Sequence, residues 1–423
     1  MCDRRRVRAV AWLIVAALGA ACGGSRDAER GEPVPFAPTP DPDAFYLAPQ
    51  PVPDEPAGTI LKTRPITFAP VLGKPRDNPA WELQFVSHDA KGHRIAAVAT
   101  VVKPLAPAAG NTPLLSYQYA EDSLASRCAP SRSLMGGTAN VISQAEAAFP
   151  LDALDAGWTV VYPDHEGPYG AFAVGRLAGQ ITLDAIRAAL AFPDLGLSST
   201  TRIGLQGYSG GAIATAWAAS LQRSYAPELN IVAVVSGGTP ADLVGVARNA
   251  DTKPITNTLF FSLVASAVEG INRAYPELVT SILNEHGNTG FEAMKDGCVG
   301  LTGDGSPRPT GHFADFTTVP DPFDAEGARI VAPQITLPFE QDAPIADTFV
   351  YHATGDALIP VEGADAMVRA WCDAGTPLAY HRVNGSGHVD LAATGAPAAQ
   401  AFMAGRLEQN VDVLPDGSTT CNR

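Results

Sequence analysis

Apolar positions along this chain recur with two periods, and the periods alternate. Short apolar runs of strand length fall at residues 81–87 and 94–102, a pair joined across the turn Asp89-Ala-Lys-Gly92. Further runs lie at 113–119, 158–162, 203–205, 231–235, 348–352 and 378–383. Between them come stretches with helical spacing at 145–154, 181–192, 212–221, 364–372 and 398–407. In 181–192 the apolar residues Ile181, Ala185, Ile186, Ala189 and Leu190 share one helical face. Strand–helix alternation of this kind predicts an α/β fold: a mostly parallel sheet flanked by helices on both faces.

Two segments break the alternation. From 239 to 337 the chain is rich in Gly, Pro and Asp, with one apolar helix pattern beginning Leu259, Phe260, Phe261, Leu263 and Val264 and a second helical stretch at 277–283. This predicts a mainly helical cap inserted over the strand ends, leaving 58–238 and 338–423 as the core. The other break is N-terminal. Arg4, Arg5, Arg6 and Arg8 precede an apolar run at 9–21 that is short for a membrane span, so 1–21 reads as an export signal. The context Leu18-Gly-Ala-Ala-Cys22 suits either simple cleavage after Ala21 or lipid attachment to Cys22, a membrane tether at a bacterial cell envelope. Residues 22–57, rich in Pro, Asp, Glu and Ala, predict an extended acidic tether with little ability to pack.

Composition narrows the class. With 423 residues, 46% of them hydrophobic, the chain buries a large core. Its net charge of −15 with only 29 Lys and Arg argues against nucleic acid or an anionic membrane surface as the main partner. Beyond Cys2 and Cys22 four cysteines remain, an even number that predicts two disulfides in an exported chain; the sequence permits three pairings. No C-x-x-C spacing exists, and neither a metal nor a cofactor is expected.

The chemistry concentrates in three places. Gly207-Tyr208-Ser209-Gly210-Gly211 is a G-x-S-x-G pentapeptide between the strand at 203–205 and the helix from 212, the setting of a nucleophilic serine on a sharp elbow. Glycines flank the serine because the turn leaves little room for side chains. The helix N-terminus behind it favours developing negative charge. Asp356 follows the strand at 348–352 in Gly355-Asp-Ala-Leu-Ile-Pro360, and His388 follows the strand at 378–383 in Asn384-Gly-Ser-Gly-His388. Loops after parallel strands meet at one sheet edge, so serine, acid and histidine are expected to converge. His388 would then carry the proton of Ser209, and Asp356 would orient the imidazole. His352 and His381 lie inside strands and His165 precedes the serine, which makes them poorer bases. Gly210 supplies one oxyanion N–H; the loop Ala120-Glu-Asp-Ser-Leu124, with no His-Gly-Gly segment, leaves the second donor open.

Longer runs carry a family resemblance. Ser116-Tyr-Gln-Tyr-Ala-Glu-Asp-Ser123, Asp164-His-Glu-Gly167 with Ala171-Phe172, the pentapeptide itself, Ser224-Tyr-Ala-Pro-Glu-Leu-Asn-Ile-Val232 and Gly237-Gly-Thr-Pro240 resemble the secretory lipase family of α/β-hydrolases. The resemblance spans about residue 60 to Cys421. It implies the triad Ser209, Asp356 and His388, and a second oxyanion donor at Asp122, through a protonated side chain or the backbone. It also implies disulfides Cys128–Cys298 and Cys372–Cys421, and a lid whose acyl tunnel is lined by Leu259, Phe260, Phe261, Leu263 and Val264. The implied activity is that of an exported carboxylic-ester hydrolase acting on acylglycerols or similar lipid-like esters. A short-chain esterase, an acyltransferase and a non-catalytic binding or adhesion module are the alternatives.

Overall fold

A computed structural model describes residues 33–108, 110–137, 146, 150–252, 258–302, 304–305, 310–338, 342–409 and 411–423. The expected signal segment 1–21 and Cys22 lie outside the described residues, as do residues 145 and 147–149 of the helix expected at 145–154, whose end is the short helix Leu151–Asp155.

Among the described residues ten strands form one sheet: β1 (Ile60–Ile66), β2 (Ala80–His88), β3 (Arg94–Val102), β4 (Leu114–Gln118), β5 (Thr159–Pro163), β6 (Ile203–Tyr208), β7 (Ile231–Gly237), β8 (Asp347–Ala353), β9 (Leu378–Val383) and β10 (Thr419–Cys421). Their spatial order is β1-β2-β3-β5-β4-β6-β7-β8-β9-β10. The run β5 to β9 is parallel; β1, β2 and β3 join it antiparallel at one edge and β10 at the other. Period-two alternation splits the strands between two apolar layers. Leu114, Val161, Leu205, Val234 and Val350 face one side; Leu115, Val160, Val235, Phe349 and Tyr351 face the other. The strands β1 and β10 went unread in the sequence. β1 is a half-exposed edge carrying Lys62, Arg64 and Pro65 among its seven residues, and β10 is three residues long.

The helix expected from 181 starts six residues earlier, at Gly175–Ala191. Gly175 and Gly179 weaken its signal, yet they let it lie against the helix Gly210–Tyr225. A Cβ on Gly175 would stand 2.0 Å from Nε1 of Trp217. Between β7 and β8 the chain makes a long excursion with helices Leu243–Asp251, Thr258–Ala274, Glu285–Met294 and Glu326–Ile335. Its apolar interior is continuous with one face of the sheet. The helix expected at 277–283 is instead a run of turns closing on a bridge between Leu283 and Thr317. Asn272 accepts hydrogen bonds from the Val279 N–H and the Thr280 hydroxyl, which diverts local donors from a helical ladder.

The tether expected over 22–57 is corrected from Val34 onward. This segment is a strap packed on the body. Phe36 meets Phe291 edge-on at 5.4 Å, and the Thr39 N–H donates to Asp296 at 2.7 Å. Asp41 accepts from the Ser126 hydroxyl at 2.6 Å and pairs with Arg132, while Asp43 pairs with Arg64 at 2.8 Å. Phe45 is buried, and the Arg132 guanidinium stacks 3.9 Å from the Tyr46 ring centroid. A composition poor in apolar residues disguised a segment that docks through carboxylates and three aromatic rings. A chain beginning at Val34 is expected to melt with the full chain. One beginning at Gly58 should lose about 4 kcal/mol or more, from lost aromatic contacts and from Arg132 left without its carboxylate partners; thermal melting of the two truncations checks this.

Candidate active site

Strand β6 ends in a turn that carries Ser209 at φ 53° and ψ −123°, a strained backbone for any residue but glycine. The Ser209 N–H donates to the Gly237 carbonyl at 2.9 Å, and the helix Gly210–Tyr225 starts at once. The space around this turn explains the glycines Gly207, Gly210 and Gly211. A Cβ on Gly211 would lie 2.1 Å from the Gln118 carbonyl oxygen, and one on Gly210 would lie 1.7 Å from Oδ1 of Asp122.

Asp356 stands beyond the end of β8. His388 follows β9 and, rather than sitting in a loop, opens the helix His388–Thr394. The structure brings the three residues together. His388 Nδ1 is 2.6 Å from Asp356 Oδ2, and His388 Nε2 is 2.8 Å from Ser209 Oγ. A carboxylate at Nδ1 holds the proton there and leaves the Nε2 lone pair toward the serine hydroxyl. Burial alone would push the Asp356 carboxyl up. Hydrogen bonds from His352 and His388, the charge of His388 and the Ile359 N–H outweigh burial and hold it well below the usual carboxylate range. Tyr208, the variable residue of the pentapeptide, donates its hydroxyl to the His388 carbonyl at 2.6 Å.

Asp122 lies over Gly210 at a positive φ of 47°. It is 3% exposed, and its Oδ1 has no hydrogen-bond partner among the described residues. Burial pushes its carboxyl up to about 7, so near neutrality much of it is protonated and can donate. Gly210 is the first residue of its helix, where the N–H is not used by the helical ladder. Two donors therefore flank the space above Ser209.

The Asp122 loop is gripped from both sides. On the core side Glu146 accepts from the Ala120 N–H at 2.9 Å and Glu166 from the Ser123 N–H at 3.1 Å. His165 Nε2 lies 2.9 Å from the Tyr119 carbonyl; burial pulls its pKa down to about 4, so the ring is neutral and donates there. On the excursion side Val299 N–H donates to the Asp122 carbonyl at 3.1 Å and Leu124 N–H to the Gly297 carbonyl at 3.0 Å. The Cys128–Cys298 disulfide closes the same junction, and Cys372–Cys421 ties β10 to the helix Val361–Asp373. Arg273, nearly fully buried, donates from Nη1 to the Leu124 and Tyr169 carbonyls, each at 2.6 Å, and pairs with Glu269. None of Glu146, Glu166 and Arg273 was expected at the site; the run Asp164-His-Glu-Gly167 was their one trace in the sequence.

Ser209, Gly210 and Asp122 form the floor of a cavity of about 1350 Å³, counting the part open to solvent. Among its described lining residues only Asp122, Ser209 and Thr317 have polar side chains. Phe260, Leu263 and Val264 line it. Leu259 and Phe261 do not. Leu259 is 59% exposed, and Phe261 is buried behind the cavity wall against Phe313, centroids 4.7 Å apart. Helical rotation of about 100° per residue puts 260, 263 and 264 on one face and turns 259 and 261 away. No helix among the described residues is long and apolar enough to cross a membrane.

A parallel sheet with the serine elbow at the end of a central strand, and acid and histidine on the following strand ends, is the architecture of the α/β-hydrolases. The secretory lipase family model matches residues 135–413. The secreted triacylglycerol lipase of Malassezia furfur is 32% identical over 345 residues, 80% of this chain and 69% of that protein. The "Probable inactive lipase" of Mycobacterium tuberculosis is 34% identical over 383 residues, 88% of this chain and 83% of that one. Among solved structures, Candida antarctica lipase A in its closed state is similar with a TM-score of 0.79 and 27% identity, covering 90% of this chain and 88% of that one. The chain belongs to the secretory lipase family. It is a serine hydrolase of the lipase and carboxylesterase type.

Proposed function

We propose that this protein is an exported lipase that cleaves long-chain acyl esters, acylglycerols among them, through an acyl-enzyme on Ser209. The observation that carries the substrate class is the cavity. Its floor holds the serine and two oxyanion donors, and nearly all of its wall is apolar. Each methylene buried there contributes about 0.8 kcal/mol, so binding rises steeply with chain length. The hydroxyl of Ser209 attacks the ester carbonyl while His388 Nε2 takes its proton. The developing oxyanion is met by the Gly210 N–H and the protonated Asp122 carboxyl. His388 then protonates the leaving alkoxide, and water deacylates the serine by the reverse path. Export follows from the segment 1–21, in keeping with the secreted Malassezia relative; lipid on Cys22 would hold the mature chain at a bacterial cell envelope.

The test is the profile of kcat/KM over p-nitrophenyl esters of increasing acyl length. A rise through octanoate and longer chains is expected. A sharp fall beyond butyrate would replace the lipase with a short-chain esterase on the same triad.

A further inference from the structure

Resting on the triad proposed above, we infer that His352 is a positioning residue for its acid. His352 lies in β8, four residues before Asp356, and is completely buried. Its Nε2 is 3.0 Å from the Ile359 carbonyl oxygen and 3.5 Å from Asp356 Oδ2. A carbonyl only accepts, so Nε2 carries the proton. Nδ1 has no hydrogen-bond partner among the described residues.

That arrangement is an odd one for a residue that merely fills space. An unpaired buried nitrogen is costly, and a leucine would fill the site without it. The N–H of the same ring does two things. It ties the Ile359 carbonyl back to β8, and it faces the oxygen of Asp356 that also accepts the hydrogen bond from His388 Nδ1. Ile359 completes the closure: its own N–H donates to Asp356 Oδ1 at 2.8 Å, beside the Leu358 N–H at 3.0 Å. Its side chain lines the cavity. The turn Asp356–Ile359 is therefore pinned at its far end by one imidazole, and the carboxylate is held between two histidines.

Without the pin, the turn keeps its internal bonds but loses its tie to the strand. The carboxylate can then swing away from His388, and small misplacements of this kind cost catalysis far more than binding.

The experiment compares His352→Leu, His352→Gln and His352→Asn with the wild type and with Asp356→Asn, measuring kcat, KM and melting temperature. His352→Leu exchanges the unpaired Nδ1 for an unpaired Ile359 carbonyl and is expected to stay folded, while kcat falls roughly 10–100-fold and KM changes far less. A glutamine places an amide N–H where Nε2 sits, so His352→Gln should recover most of kcat; the shorter His352→Asn should not. Two results would overturn the inference while leaving the triad intact: His352→Leu within twofold of wild-type kcat when Asp356→Asn is severely impaired, or leucine and glutamine variants equally slow. If Asp356→Asn itself keeps full activity, the triad reading and this inference fail together.

Discussion

Ser209→Ala and His388→Ala are each expected to lower kcat by roughly 10⁴–10⁶-fold, and the double variant to be little slower than either single one. In the proposed mechanism the two side chains act as one unit: the hydroxyl has no base without Nε2 at 2.8 Å, and without the hydroxyl no acyl-enzyme forms. Neither change should unfold the protein. Ser209 makes its structural bond through the backbone, to the Gly237 carbonyl, and alanine keeps both that bond and the strained turn. Steady-state kinetics beside thermal melting separates loss of chemistry from loss of fold. Additive losses, with each variant destabilised, would mean that the two residues serve separate structural ends.

Asp122 carries the second large effect. Asp122→Ala is expected to lower kcat by roughly 10²–10³-fold, whereas Asp122→Asn keeps a donor in place and should lose much less. The pH profile is the sharper signature. Burial raises the Asp122 carboxyl from 3.8 to about 7, so its donating form disappears as pH rises through about 7. Turnover should decline on that alkaline side in the wild type, and the decline should be absent in Asp122→Asn. The sign for stability agrees. A carboxyl whose folded pKa lies above its unfolded one contributes most below the unfolded value and loses that contribution as pH rises through the folded one. By way of Asp122 the native protein should thus weaken as pH rises from 3.8 to about 7, with no further loss above that. Identical alkaline limbs in wild type and Asp122→Asn would remove the neutral-donor role.

What could be read from the sequence follows a physical divide. The elbow at Ser209 was legible because a sharp strand-to-helix turn demands glycines at fixed offsets. Asp356 and His388 were legible because strand-end loops share one sheet edge. The grip on Asp122 was not. Arg273 looks like any basic residue in the last turn of a helix, and only the approach of Leu124 and Tyr169 makes it a clamp. His352 was set aside for lying inside a strand, which is where a residue that pins the strand's own following loop has to be. The stripe 259–264 announced an apolar helix, but pattern alone does not say which residues face a cavity and which face a second aromatic layer. The strap from Val34 escaped notice for a related reason. It is held by ion pairs with Arg64 and Arg132, whose partners lie far away in the chain.

The most direct test is covalent. Incubation of the purified protein with a fluorophosphonate probe, followed by peptide mass spectrometry, should place a single adduct on Ser209, with none in Ser209→Ala and strongly slowed labelling in His388→Ala. An unlabelled wild-type protein, or an adduct on a different serine while ester hydrolysis continues, would contradict the account.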